Sequence, residues 1–141
     1  MAKTLIIGGG GFIGAHVARA LAMEGESVDI LDNFSRAVRD PFLQEVGARR
    51  GVGLIDADIL DEATLSLLDD DYTIIYQFAA IIGVHHVMKR PYEVLHKNVL
   101  IQSKAIELAK RQKKFERFFF LGTFGHWLFS THFFPTLEFG F

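Results

Sequence analysis

The chain has 141 residues, 50% of them hydrophobic, and 15 Lys and Arg against 17 Asp and Glu for a formal net charge of -2. That suits one globular domain with a sizeable core and lacks the basic footprint of a nucleic-acid binder. With no cysteine there is neither a disulfide framework nor a thiolate metal site, and no apolar run reaches the roughly 18 residues a membrane span needs. The apolar core of MAKTLIIGGGG is too short for a signal peptide, so the expectation is a cytoplasmic protein with no membrane or nucleic-acid partner.

In chain order, Thr4 to Ile7 reads as a short apolar strand of the kind buried on both faces of a parallel sheet. The glycine run IIGGGGFIG follows, and then Ile13, Val17 and Leu21 recur at four-residue steps, which predicts a helix packed through that face and stopped at Gly25. SVDILDN reads as a second strand ending at Asp32. VGLIDADI and YTIIYQFAA read as two more, joined by a short helix in LDEATLSLLDD. From Tyr92 to Arg111 the pattern is helical, opened by Pro91, with Val94, Asn98, Ile101, Ala105 and Leu108 on one stripe. FERFFFLG is the fifth predicted strand. The β/α alternation predicts a doubly wound parallel sheet in the order 3-2-1-4-5 with no internal domain boundary. Residues 122–141 differ from the rest: Glu138 is their one charged residue, and they read as an atypical apolar tail.

Glycine weakens both strands and helices, so its concentration at a strand-to-helix junction calls for another reason. There it permits a tight turn and lets backbone N–H groups approach an anion at the helix N-terminus. Gly9, Gly11 and Gly14 satisfy G-x-G-x-x-G, and Gly8, Gly11 and Gly14 satisfy G-x-x-G-x-x-G. Asp32 stands 18 residues beyond Gly14 at the end of the next strand, where a carboxylate accepts hydrogen bonds from ribose hydroxyls. A nucleotide-hydrolysing phosphate loop needs Gly-Lys-Ser/Thr, and the chain has Gly14-Ala15-His16 instead. The pattern therefore predicts a dinucleotide, and the charge on Asp32 favours NAD over NADP, with Arg36 near enough to soften the preference. The scattered histidines, with His85 and His86 adjacent, do not compose a metal site. KRQKKFER reads as the cationic end of a helix.

Taken together, GGGGFIG, LDNFSR, DADILD, FAAIIGV and RPYEVLHKNV resemble the extended short-chain dehydrogenase/reductase group, and within it the NAD-dependent epimerases and dehydratases of nucleotide sugars, such as UDP-glucuronate decarboxylases. The resemblance runs from Lys3 to Leu121 and implies the N-terminal, NAD-binding Rossmann part of such an enzyme. It assigns Gly8, Gly11, Phe12, Ile13 and Gly14 to the pyrophosphate, Asp32 and Asn33 to the adenosine ribose, and Asp58 and Ile59 to the adenine. Phe78, Ala79 and Ala80 would pass beneath the nicotinamide ribose, with Asn98 bracing that strand. Thr123 falls at the catalytic Ser/Thr position, although Leu121, Phe124 and Gly125 depart from the family's pattern around it. The family's catalytic Tyr-x-x-x-Lys has no counterpart, since Tyr72, Tyr76 and Tyr92 lack a lysine four residues on. The implied reading is the cofactor domain of such an enzyme, over 1–141 and truncated before the substrate domain, inactive alone; the alternative is a truncated, non-catalytic dinucleotide-binding protein. The enzyme's implied partners are a nucleotide-sugar substrate and a second copy of the chain.

Overall fold

The computed structural model describes residues 2–81, 83 and 88–121. Among the described residues the elements are, in order, β1 (Lys3–Ile7), α1 (Phe12–Met23), β2 (Ser27–Asp32), α2 (Pro41–Gly47), β3 (Val52–Asp56), α3 (Thr64–Leu67), β4 (Ile74–Gln77), α4 (Pro91–Arg111) and β5 (Arg117–Phe120). The five strands form one sheet, every pairing is parallel, and the order is β3-β2-β1-β4-β5. This is the doubly wound Rossmann arrangement that the alternation predicts.

The central strand explains the layering. Successive side chains of β1 point to opposite faces. Leu5 and Ile7 join Leu31, Tyr72, Ile75, Ala105 and Leu108 beneath α3 and α4, whereas Ile6 joins Val28, Ile30, Ala15, Ala18, Leu43 and Val46 beneath α1 and α2. Both faces of β1 are thus core. A strand covered on both sides needs apolar residues throughout, which is why its sequence does not alternate.

Helix α1 departs from the expected face. Its buried residues are Gly14, Ala15 and Ala18; Ile13 is 52% exposed, and Val17 and Leu21 pack only at the margin of the core. Small side chains let the helix axis approach the sheet, so they displace the bulky stripe from the contact. The helix ends as expected, at Gly25, whose φ of +86 is the left-handed value glycine adopts without strain.

Strands β3 and β4 are shorter than their apolar runs, because the chain leaves the ladder at Asp56 and Gln77 to line the end of the sheet. Helix α2 was not expected. Asp40 caps it by accepting a bond from the Leu43 N–H at 2.8 Å, and Pro41 occupies its first turn. Helix α4 buries Val94, Ile101, Ala105 and Leu108 as its stripe predicts, and Ala109 besides, while Asn98 of that stripe is only half-buried; Pro91 stands in the first turn.

Candidate functional site

The chain runs from β1 outward to β2 and β3, then returns to the other side of β1 for β4 and β5. Where the direction reverses, the loops leaving β1, β2 and β4 diverge and open a crevice at the C-terminal ends of the strands. The crevice is a cleft of about 400 Å³. Gly8, Gly11, Phe12, Asp32, Asn33, Asp58, Ile59, Phe78, Ala79 and Ala80 all line it.

The glycine turn builds the floor. Gly8 has a φ of +76, its N–H donates to the Leu31 carbonyl at 2.7 Å, and a Cβ there would lie 2.5 Å from the Ala79 nitrogen. Gly14 serves the packing of the turn itself, since a Cβ on it would lie 2.5 Å from the Gly9 Cα. Gly11 differs from both. It is the N-cap of α1, and a Cβ there would meet nothing closer than the Gly8 carbonyl at 3.9 Å. Gly11 itself therefore puts no side chain in the open space at the N-terminus of α1, where the first-turn N–H groups have no intrahelical partner. No side chain caps that helix and no acidic residue stands in its first turn, so the positive end of its dipole is open to an anion.

Asp32 closes one side. Its Oδ2 accepts from the Gly10 N–H at 2.9 Å and its Oδ1 from the Phe34 N–H at 2.9 Å, which locks the carboxylate against the glycine turn. Each oxygen retains acceptor capacity for a further hydroxyl. Asn33 donates through Nδ2 to Asp58 Oδ2 at 2.9 Å, and the Leu60 N–H donates to Asp58 Oδ1 at 2.9 Å, so the loops after β2 and β3 are tied together.

The other side is the segment leaving β4. Asn98 on α4 accepts from the Ile81 N–H at 2.7 Å and donates to the Ile81 carbonyl at 3.0 Å, so its amide is satisfied by one backbone unit. That places Asn98 behind the wall of the cleft. Ile13, half-exposed in the first turn of α1, and Gly14 are likewise not part of the lining. Thr123 lies outside the described residues.

Ser35, Arg36, Ala37, Ala57, Ile81 and Ile101 also line the cleft. Of these the sequence singles out Arg36 as a cation near Asp32 and Ile101 as part of the α4 stripe, while Ser35, Ala57 and Ile81 lie within its motifs without an individual role. Among the described residues there is no group of three or more histidines and carboxylates able to hold a metal, and no helix long and apolar enough to cross a membrane.

The model of the NAD dependent epimerase/dehydratase family matches residues 4–128. UDP-N-acetyl-alpha-D-glucosaminuronate decarboxylase of Bacillus cytotoxicus is 30% identical over 112 residues, covering 79% of this chain and 34% of that protein. Among solved structures, the UDP-Glc/GlcNAc 4-epimerase from Campylobacter jejuni superposes with a TM-score of 0.74 at 26% identity, over 85% of this chain and 36% of its own. The Bordetella bronchiseptica enzyme WbmF in complex with NAD+ and UDP gives 0.73 at 25% identity, over 84% and 35%. The chain thus spans about a third of the length of these relatives. A family match over nearly the whole of the sheet and its glycine turn makes this chain a member of the NAD dependent epimerase/dehydratase family.

Proposed function

We propose that residues 1–141 form the NAD-binding domain of an enzyme acting on nucleotide sugars by epimerisation, elimination or decarboxylation. The observation that carries this reading is the pairing of an uncapped helix N-terminus, kept open by Gly11, with the fixed Asp32 carboxylate across the same cleft. The first suits a pyrophosphate and the second the hydroxyls of an adenosine ribose.

In this reading the N–H groups of the α1 first turn, at Phe12, Ile13 and Gly14, hold the pyrophosphate, and Asp32 with Asn33 holds the ribose. Asp58 and Ile59 take the adenine. Phe78, Ala79 and Ala80 form the floor for the nicotinamide ribose, with Asn98 fixing the segment from behind. NAD held by these residues would supply reversible hydride transfer at a sugar carbon. Thr123, outside the described residues, is the proposed hydrogen-bonding residue toward the sugar hydroxyl. A homodimer belongs to the same proposal, and the outer face of α4, where Leu95, Val99 and Ile106 are exposed, offers it an apolar surface.

The test is calorimetric titration of the purified chain with NAD and with NADP. The reading expects NAD to bind and to bind more tightly, because a 2′-phosphate would face the Asp32 charge, a preference that Arg36 in the same cleft softens. Tighter binding of NADP, or no binding of either, would overturn it.

A further inference from the structure

We propose that Gln77 is a positioning residue for the cofactor, setting the wall of the cleft formed by residues 78–81 through a hydrogen bond from its buried side chain to the Ala79 carbonyl. Gln77 is the last residue of β4, held between Ile7 of β1 and Phe120 of β5, and its side chain is fully buried. Its Nε2 donates to the Ala79 carbonyl at 2.8 Å. Its Oε1 has no hydrogen-bond partner among the described residues. A leucine would fill nearly the same volume and bring no unpaired side-chain oxygen, so packing alone does not account for an amide in this core. A buried polar group kept against stability points to what its bond holds in place.

What it holds is the point where the sheet stops determining the backbone. The Phe78 N–H still donates to the Ile7 carbonyl at 2.8 Å, the last bond between the β1 and β4 segments. Ala79 then presses on Gly8 so closely that a Cβ on that glycine would lie 2.5 Å from its nitrogen. Ile81 is gripped at both its N–H and its carbonyl by Asn98. Between these anchors the orientation of the Ala79 peptide is held by Gln77. Loss of that bond releases the wall on the β4 side of β1 and leaves Asp32, Asn33 and Asp58, on the β2 side, where they are.

The asymmetry makes the role testable, and it rests on the NAD reading above. A ligand confined to the β2 side, such as ADP, should not sense Gln77. NAD, which spans both sides, should. Gln77→Leu, Gln77→Asn and Gln77→His would be made in the whole chain, checked for folding by circular dichroism, and titrated with NAD and with ADP. The expected result for Gln77→Leu is a loss of NAD affinity of about five- to tenfold with ADP within about twofold of the unmutated chain. Gln77→His, whose ring N–H can donate to the same carbonyl, should recover most of the loss. If the leucine variant fails to fold, Gln77→Asn carries the test, because it keeps the amide but withdraws it by one methylene. Unchanged NAD affinity, or equal losses for NAD and ADP, would overturn the positioning role alone. An unmutated chain that binds neither nucleotide would overturn the NAD reading and this inference with it.

Discussion

At the N-terminal ends of the strands Lys3 lies within ion-pair distance of Asp29, Asp69 and Asp71, and the Tyr72 hydroxyl donates to Asp29 Oδ2 at 2.6 Å. At the C-terminal ends, by contrast, the α1 N-terminus has no side-chain cap, and Asp32 accepts the Gly10 and Phe34 N–H groups with acceptor capacity left over. Both ends pair carboxylates within the chain, Arg39 with Asp56 and Asn33 with Asp58 at the second, yet the second also presents a helix N-terminus that no side chain caps. Even the glycines divide this way. Gly53 on β3 lacks a side chain because Asp29 fills the place its Cβ would take, whereas Gly11 lacks one where nothing fills it. A glycine forced by a protein neighbour reports packing, and a glycine facing open space at a helix N-terminus reports a ligand.

The sharpest way to break this division is to add the same methyl group at Gly14 and at Gly11. At Gly14 it would sit 2.5 Å from the Gly9 Cα, and backbone has to move. Gly14→Ala is therefore expected to lower stability by about 1–3 kcal/mol, despite the better helix propensity of alanine. At Gly11 the φ of -76 and ψ of 172 suit alanine and the space is empty, so stability in urea should stay within about 0.5 kcal/mol. NAD affinity should nonetheless fall by about tenfold or more, because the methyl stands where the anion approaches. A Gly14→Ala chain as stable as the unmutated one, or a Gly11→Ala chain that binds NAD normally, would contradict the division.

Asp32 belongs to both categories, and Asp32→Ala should show it. Removing the carboxylate strands the Gly10 and Phe34 N–H groups, which predicts a stability loss of about 1–2 kcal/mol. It also removes the charge that disfavours a 2′-phosphate. Competition titration should show NAD weakened more than NADP, narrowing the gap between them. An unchanged ratio of the two affinities would mean that Asp32 holds the turn and does not select the cofactor.

The glycine spacing, the buried strand before it and Asp32 after it were legible because each obeys a local rule that needs no knowledge of neighbours. The sheet order followed from the same alternation. The face of α1 was not legible. Periodicity picks out Ile13, Val17 and Leu21, but the residues buried are the small ones that let the helix settle onto Gly9 and the sheet, and closeness of approach leaves no periodic mark. Helix α2 was missed although Asp40 and Pro41 signal its start, because its two buried residues, Leu43 and Val46, are too few to establish a period. Ser35, Ala37 and Ile81 reach the cleft only through the paths of loops after β2 and β4. Gln77 looked like one more residue of an apolar strand, since its bond depends on where the chain turns next.

The smallest expected effect lies at the closed end of the sheet. Burial first, and then the hydrogen bond and charge of Asp29, push the Tyr72 phenol well above its ordinary 10.0. Burial opposes the charge on Lys3, but its bond to Asp69 and the fields of Asp69 and Asp29 outweigh that and raise it above 10.5. Both shifts favour the protonated form in the folded chain. Their contribution to stability is therefore complete below about pH 10, where the unfolded groups are still protonated, and is lost as the pH climbs toward the folded values. Urea midpoints should hold steady from neutral pH to about 9.5 and fall beyond it. Tyr72→Phe keeps the ring in the core and leaves Asp29 with Lys3 at 3.9 Å, so the loss at neutral pH should be only about 0.5–1.5 kcal/mol. The variant should also show a shallower alkaline fall, with only the Lys3 part remaining. An alkaline fall of undiminished slope in Tyr72→Phe would show that the closed end does not depend on the neutral phenol, and that Lys3 and its carboxylates hold it without help. NAD affinity at neutral pH should be the same in both proteins, since Tyr72 lies at the opposite end of the strands from the cleft.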